Sequence, residues 1–129
     1  MLRGEAGEKS LLLDGGDTWQ GSAISLFTNG MDMVQASNIL GVDVMTGHWE
    51  FTFGEDQFLE NLSKFNGEFV ANNVFLNDEA IFNDIQAYND ENHYQKPYTI
   101  KELNGRQIAV IGQAFPYTPI ATPARLVPN

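Results

Sequence analysis

The chain has 129 residues, of which 43% are hydrophobic and 12% aromatic, enough to build one modest globular domain or a piece of a larger one. Its 17 acidic residues outnumber its 7 basic residues, and the net charge of -10 argues against nucleic acid or an anionic membrane surface as partners. Because there is no cysteine, disulfides, thiolate metal ligands and cysteine nucleophiles are excluded within these residues.

The chain starts with a polar segment, 1–9, for which we expect irregular structure, and the apolar run that follows predicts a first strand from Ser10 to Asp14. Gly15 and Gly16 allow a sharp turn, so Asp17 lies in a loop at the carboxyl end of that strand, where open α/β sheets bind ligands. A carboxylate in that position suits a metal cation. An ordinary turn, or a cap on the next helix, is the alternative role of Asp17.

Trp19, in the loop from Asp17 to Gly21, is expected to pack the loop against the protein. Two helices are predicted next, Ala23 to Thr28 and Met31 to Leu40, since Asn29-Gly30 and Gly41 are typical stop signals. The second helix has an apolar stripe at near-helical spacing, formed by Met33, Val34, Ala36, Ile39 and Leu40.

A second strand, Val42 to Thr46, is followed by Gly47 and then by His48, Trp49 and Glu50. The helical segment between the two strands is long enough for a βαβ crossover, which makes the strands parallel and brings both loops to one edge of the sheet. An aspartate and a histidine converging there, Asp17 and His48, form a candidate metal site. The alternatives are a hydrogen-bonded loop histidine and a core tryptophan.

A third helix, Glu55 to Phe65, has an apolar face made of Phe58, Leu59, Leu62 and Phe65. A third strand, Phe69 to Asn72, then completes a βαβαβ pattern that is typical of a parallel sheet. The acidic segment 78–92 is expected to be a loop with a helical turn or an insertion. We predict a surface position for His93.

Asn104-Gly105 separates two β-prone runs, Tyr98 to Leu103 and Gln107 to Ile111, and predicts a β-hairpin. The segment 112–129 contains four of the five prolines, so no regular structure is expected there. The fold class is therefore α/β, with a βαβαβ start and a later β-hairpin.

Two loop motifs carry a family resemblance: DGGD followed by GS (residues 14–17 and 21–22), and GHWEF (residues 47–51). They resemble the 5′-nucleotidase branch of the calcineurin-like metallophosphoesterases. Within that branch they are similar to the SoxB-type sulfate thiohydrolases of bacterial thiosulfate oxidation. ANNVFLNDEA (71–80) and IGQAFPYTP (111–119) extend the resemblance to nearly all of residues 10–128. It implies a metallophosphoesterase-type α/β/β/α sandwich.

The resemblance implies specific roles for several residues. Asp17 matches the aspartate that bridges two metal ions, and His48 stands where the wider family has a metal-binding asparagine. Trp49 stands where that family has the histidine that assists the leaving group, but an indole N–H is only a donor and cannot serve as a general acid or base. Glu50 matches the acid that orients that histidine, which suggests a structural role here. Asn73 matches an asparagine that follows the third strand.

The resemblance also implies a reaction. A hydroxide activated by two manganese ions (zinc is the alternative) would attack the sulfonate sulfur of a cysteine S-sulfonate on a carrier protein of the Sox system and release sulfate. A sulfur leaving group is better than an alkoxide, which fits the loss of the acid histidine. The implied location is periplasmic, and neither nucleic acid nor membrane is an expected partner.

The family's first ligand motif, an Asp-x-His loop, and its later histidine ligands have no counterpart in these residues. We therefore expect residues 1–129 to form part of a catalytic domain that is incomplete at both ends, and this internal fragment to be inactive alone.

Two alternatives remain. One is a 5′-nucleotidase-like phosphoesterase, although His48-Trp49 in place of Asn-His disfavours it. The other is a metal-free α/β binding module.

Overall fold

The computed structural model describes residues 10–123 and Leu126. Three short strands form a parallel sheet in the order β1-β2-β3, with Leu13 paired to Val44 and Met45 paired to Phe69. The strands are β1 (Leu13–Asp14), β2 (Val44–Met45) and β3 (Glu68–Phe69). Each is shorter than predicted, but the parallel sheet itself is confirmed. The predicted irregular segment 1–9 lies outside the described residues.

Helices connect the strands and produce the predicted βαβαβ order. Between β1 and β2 lie α1 and α2, and between β2 and β3 lie a 3₁₀ turn and α3. The helical segments are α1 (Ala23–Thr28), α2 (Met31–Leu40), the 3₁₀ turn (Glu50–Phe53), α3 (Glu55–Lys64), α4 (Asp78–Phe82) and α5 (Thr118–Ala121). The α4 helix is the helical turn expected in the acidic segment.

Local chemistry explains where the first helices begin and end. Ser22 caps α1 by accepting a hydrogen bond from the Ser25 backbone N–H, and the Ser25 hydroxyl oxygen accepts from the Ser22 N–H in return. Asn29 ends α1 and Gly41 ends α2, both in the left-handed conformation. Since Ser22 is the cap of α1, the alternative role of Asp17 as that cap is wrong.

The core is rich in aromatic side chains and includes residues of the sheet, of α2 and of α3. Trp19 is fully buried, as predicted, and its ring meets Phe65 edge-on at 5.6 Å between centroids. Phe58 of α3 packs against Phe51 at 4.6 Å and against Phe69 of β3 at 5.2 Å. Edge-to-face contacts, such as those of Trp19 with Phe65 and of Phe58 with Phe69, add to the free energy gained by burying the rings. The burial of Trp19 therefore anchors its loop to the core.

The predicted apolar stripe on α2 is only partly correct. Val34 is fully buried, whereas Ile39 is 87% exposed. Asn38 of the same helix donates to the Lys64 carbonyl at 2.7 Å and accepts from the Asn66 N–H at 2.7 Å, at the C-terminal end of α3. These two hydrogen bonds fix the rotation of α2 and leave Ile39 and Leu40 on the surface.

The hairpin is confirmed as β4 (Tyr98–Leu103) and β5 (Arg106–Ile111), paired antiparallel. Asn104 and Gly105 both have positive φ, as a two-residue type I′ turn requires. Beyond β5, the Gly112 carbonyl accepts from the Asn72 N–H at 2.8 Å, and this contact joins the hairpin to the segment after β3. A Cβ on Gly112 would lie 1.9 Å from the Val70 carbonyl oxygen, so this close approach requires glycine.

In the proline-rich segment the expectation of no regular structure is wrong for one stretch. Residues 118–121 form the short helix α5, and a proline lies in its first turn. Proline is compatible with that position because the first backbone N–H groups of a helix have no partner within the helix. Among the described residues, no helix is long and apolar enough to cross a bilayer.

Candidate metal centre

The two predicted loops meet at the carboxyl edge of the parallel sheet. Asp17 follows β1, His48 follows β2, and these strands are direct neighbours. The imidazole Nδ1 of His48 lies 3.9 Å from Oδ2 of Asp17, and the two side chains are 35% and 48% exposed. The convergence expected from the βαβ pattern is therefore present. Whether the pair binds a metal stays a prediction.

The backbone of the first loop is held in an unusual conformation. Asp17 has φ +65°, and Gly16 has φ +86°. A Cβ on Gly16 would lie 2.7 Å from both the backbone nitrogen of His48 and the carbonyl oxygen of Thr46, so the second loop packs directly on this glycine. Left-handed backbone at a residue other than glycine is costly and tends to occur at functional sites. Here it directs the carboxylate of Asp17 towards His48.

The side chain of Glu50 links the two loops by hydrogen bonds. Its side chain is 1% exposed and accepts backbone N–H groups from Thr18 at 2.8 Å, from His48 at 2.6 Å and from Trp19 at 3.4 Å. A buried carboxylate that accepts several N–H groups forms strong, charge-assisted hydrogen bonds. Glu50 therefore fixes the distance between the Asp17 loop and the His48 loop, in agreement with the structural role expected for it.

Two further side chains shape the Asp17 loop. The carboxylate of Asp14 accepts from the Gly16 N–H at 3.0 Å and from the Thr18 hydroxyl at 2.9 Å, so it stabilises the turn. The side-chain amide of Gln20 donates to Oδ1 of Asp17. The other oxygen of Asp17, Oδ2, faces His48.

The His48 ring is held from one side by an aromatic side chain. Phe115 stacks on the imidazole with the ring centroids 4.4 Å apart and the planes at 28°, and Trp49 lies 5.8 Å from Phe115. Within the described part of the chain, Nδ1 of His48 is buried without a hydrogen-bond partner, as are Trp19 Nε1 and Thr46 Oγ1. A buried polar atom without a partner is costly, and a cation bound to Nδ1 of His48 would supply that partner.

The pair fits a small cation. The gap of 3.9 Å between nitrogen and oxygen is too long for a hydrogen bond. Two bonds of about 2.1 Å each, the length typical of imidazole and carboxylate ligands to zinc, can span it at an angle of roughly 135°, which is wider than the tetrahedral angle. However, no group of three or more histidine, aspartate or glutamate side chains suitable for a metal occurs among residues 10–123 and 126. The described residues thus offer two ligands of a site.

Asn73 and His93 lie outside this pair. The Asn73 side chain exchanges two hydrogen bonds with the backbone of Ala114, at 2.8 and 2.9 Å. The surface position predicted for His93 is wrong, because the residue is only 6% exposed. Its ring nitrogens face Oδ1 of Asn89 and the carbonyl oxygen of Asn72, both at 3.1 Å. Through His93, these contacts connect Asn89 of the acidic segment to Asn72, which follows β3.

Glu68, Lys96 and Tyr94 have shifted pKa values. The ammonium groups of Lys101 and Lys96 lower the pKa of Glu68 to about 2. The pKa of Lys96 is raised in turn by Glu68. Burial, and the hydrogen bond from its hydroxyl to Glu55, raise the pKa of Tyr94. Glu68 is the first residue of β3, and the two lysines come from the hairpin and its approach, so this cluster has a structural role.

Phe115 is the site residue that the sequence argument did not identify. It belongs to the IGQAFPYTP stretch, whose composition matches the family but gives no hint of a contact with His48. Its backbone N–H donates to the Gly47 carbonyl at 3.0 Å, directly beside His48. The contact depends on the path of the chain after the hairpin, which the sequence pattern does not predict.

No protein-family model matches the chain, and no curated protein sequence matches it either. Solved structures do match. The sulfate thiohydrolase SoxB of Thermus thermophilus is 37% identical with a TM-score of 0.75, over 94% of this chain and 20% of its own. This chain therefore spans about a fifth of the length of that protein.

Two more distant structures share the fold. The NAD nucleotidase of Haemophilus influenzae is 24% identical with a TM-score of 0.72, over 92% of this chain and 20% of its own. The calcineurin-like phosphoesterase YfkN of Bacillus subtilis is 21% identical with a TM-score of 0.63, over 90% of this chain and 37% of its own. Sequence and fold thus confirm the resemblance: over 94% of its length this chain is similar to a segment of a SoxB sulfate thiohydrolase, and it shares the fold of the calcineurin-like phosphoesterase and 5′-nucleotidase structures.

Proposed function

We propose that this chain is part of the catalytic domain of a SoxB-type sulfate thiohydrolase, in which Asp17 and His48 bind metal. The observation that carries the proposal is the pairing of the Asp17 carboxylate with the imidazole of His48 at 3.9 Å, at the carboxyl edge of the sheet. The 37% identity to a sulfate thiohydrolase supports this reaction over others of the same fold. The remaining ligands would come from outside residues 10–123, so we expect the isolated chain to be inactive.

The proposed substrate is a cysteine S-sulfonate on a sulfur-carrier protein of the Sox system. Water adds its oxygen to the sulfonate sulfur and the sulfur–sulfur bond breaks. The electron pair leaves on the carrier sulfur, two protons go to solvent, and sulfate is released. Two bound manganese ions, or zinc, would supply positive charge that lowers the pKa of the attacking water and stabilises the charged oxygens. The periplasmic location belongs to the same proposal.

The residues around the pair suit this leaving group. Trp49 occupies the position next to His48, and its indole N–H can donate a hydrogen bond but cannot transfer a proton at neutral pH. An alkoxide leaving group needs an acid, whereas a thiolate or persulfide leaves without one because its conjugate acid has a much lower pKa. The chain therefore provides orientation rather than acid catalysis at this point, through Asp17, His48 and the loop geometry that Glu50 fixes.

The test is hydrolysis by the full-length protein with manganese. Sulfate release from a synthetic peptide that carries a cysteine S-sulfonate is measured beside phosphate release from a 5′-nucleotide. We expect Asp17→Asn and His48→Gln to lower sulfate release by about two orders of magnitude, since even residues that only support metal ligands often contribute tenfold or more. Asp84→Asn is the matched control, because Asp84 is an exposed aspartate that also has positive φ.

The alternatives give different results in the same experiment. A 5′-nucleotide turned over faster than the S-sulfonate would favour a 5′-nucleotidase-like phosphoesterase. No hydrolysis, together with no manganese or zinc above background in the purified protein, would favour a metal-free α/β binding module. Equal activity of the Asp17→Asn variant and the wild type would remove Asp17 from the site.

A further inference from the structure

The segment after the hairpin contributes to the site through Phe115. The phenyl ring stacks on the imidazole of His48 with centroids 4.4 Å apart and an interplanar angle of 28°. Offset stacking at this distance restricts the imidazole to one plane, because rotation about its side-chain bonds would drive the ring into the phenyl face. The Nδ1 atom of His48 faces Asp17 and has no hydrogen-bond partner among residues 10–123 and 126, so no hydrogen bond at this nitrogen fixes the plane of the ring.

Phe115 is itself held firmly. Its backbone N–H donates to the Gly47 carbonyl at 3.0 Å, so the segment is tied to the residue that precedes His48. One residue earlier, the backbone of Ala114 exchanges two hydrogen bonds with the Asn73 side chain, and Ala114 is buried. The backbone around Phe115 is therefore hydrogen-bonded to the loops that follow the second and the third strands.

Histidine ligands usually have their ring orientation fixed by a hydrogen bond from the nitrogen that does not bind the metal. Here a phenyl ring stacked on the face of the imidazole restricts the orientation of the ring. We propose that Phe115 is a positioning residue that holds the imidazole of His48 in the plane required for binding a cation together with Asp17, and that Asn73 secures Phe115 through Ala114. This inference rests on the proposed metal site.

The experiment compares Phe115→Leu with Phe115→Tyr in the full-length protein. Leucine keeps an apolar side chain but removes the ring, and tyrosine keeps the ring. The matched control is Phe75→Leu, because Phe75 lies 4.5 Å from the ring of the other histidine, His93. Thermal unfolding of each variant verifies that it is folded.

Two readouts are measured. The first is manganese affinity, from the paramagnetic resonance signal of free Mn²⁺ during titration. The second is the NMR signal of the His48 ring in metal-free protein labelled with ¹³C-histidine, assigned with His48→Gln. Stacking places the imidazole protons in the shielding region of the phenyl ring and moves their signals upfield. We expect Phe115→Leu to bind manganese about tenfold more weakly and to lose the upfield shift. We expect Phe115→Tyr and Phe75→Leu to keep both.

The outcomes separate the two proposals. Unchanged manganese affinity in Phe115→Leu, or a wild-type His48 signal without an upfield shift, overturns the role of Phe115. If the wild type binds no manganese, the metal site fails. The NMR readout, measured without metal, then still decides whether Phe115 stacks on the imidazole of His48.

Discussion

Gly16→Ala tests the contact between the two loops most sharply. Gly16 has φ +86°, and a Cβ built on it would lie 2.7 Å from the backbone nitrogen of His48 and from the carbonyl oxygen of Thr46. Left-handed backbone costs about 1–2 kcal/mol at alanine. Forcing a methyl group against packed backbone costs about 1–3 kcal/mol more. We therefore expect a loss of roughly 2–5 kcal/mol in the free energy of unfolding, and weaker manganese binding because the loops are pushed apart.

The neighbouring glycine provides the control. A Cβ on Gly15 meets no atom within 4 Å, and Gly15 does not have positive φ. Gly15→Ala should therefore change the free energy of unfolding by about 0.5 kcal/mol or less. Urea titration of the full-length wild type and both variants measures the difference. If Gly16→Ala were as stable as Gly15→Ala, the reasoning about the loop contact would be refuted.

Three other changes test separate parts of the fold. Glu50→Gln should lower the free energy of unfolding by about 2–3 kcal/mol, because a buried amide replaces a carboxylate that accepts three backbone N–H groups. Urea titration measures this loss, and a variant as stable as the wild type would contradict the expectation. Because Lys101 and Lys96 lower the pKa of Glu68 from 4.5 to about 2, its carboxylate stabilises the protein above pH 4.5, and that contribution is lost as the pH falls towards 2. Glu68→Gln should therefore be less stable than the wild type at pH 7 and nearly equal to it near pH 2, and a difference independent of pH would contradict this. Asn73→Ala removes two hydrogen bonds to Ala114 and should destabilise by about 1–2 kcal/mol. It should also reduce the upfield shift of the His48 ring, and an unchanged shift would contradict the coupling.

The parts of the fold that the sequence predicted depend on local signals. Asn104-Gly105 favours one turn type, so the hairpin follows from two residues. Alternation of short strands with helical segments predicts parallel strands, and parallel strands bring their following loops to one edge. That rule is why the meeting of Asp17 with His48 was predictable although they are far apart in the chain.

The parts that were missed depend on contacts between irregular segments. His93 was expected on the surface because its segment is acidic and polar, but Asn72 and Asn89 provide acceptors for its ring in the interior. Phe115 reaches His48 only because the chain after the hairpin returns to the sheet edge. Ile39 belongs to a helical apolar stripe in the sequence, yet it is exposed because Asn38 determines the rotation of its helix. No periodic pattern reports such contacts.

The decisive measurement for the metal site is anomalous diffraction at the manganese absorption edge, from crystals of the full-length protein grown with manganese. We expect an anomalous peak about 2.1 Å from a carboxylate oxygen of Asp17 and at a similar distance from a ring nitrogen of His48. Manganese peaks that contact neither side chain, or a protein that takes up no manganese at this edge of the sheet, would contradict it.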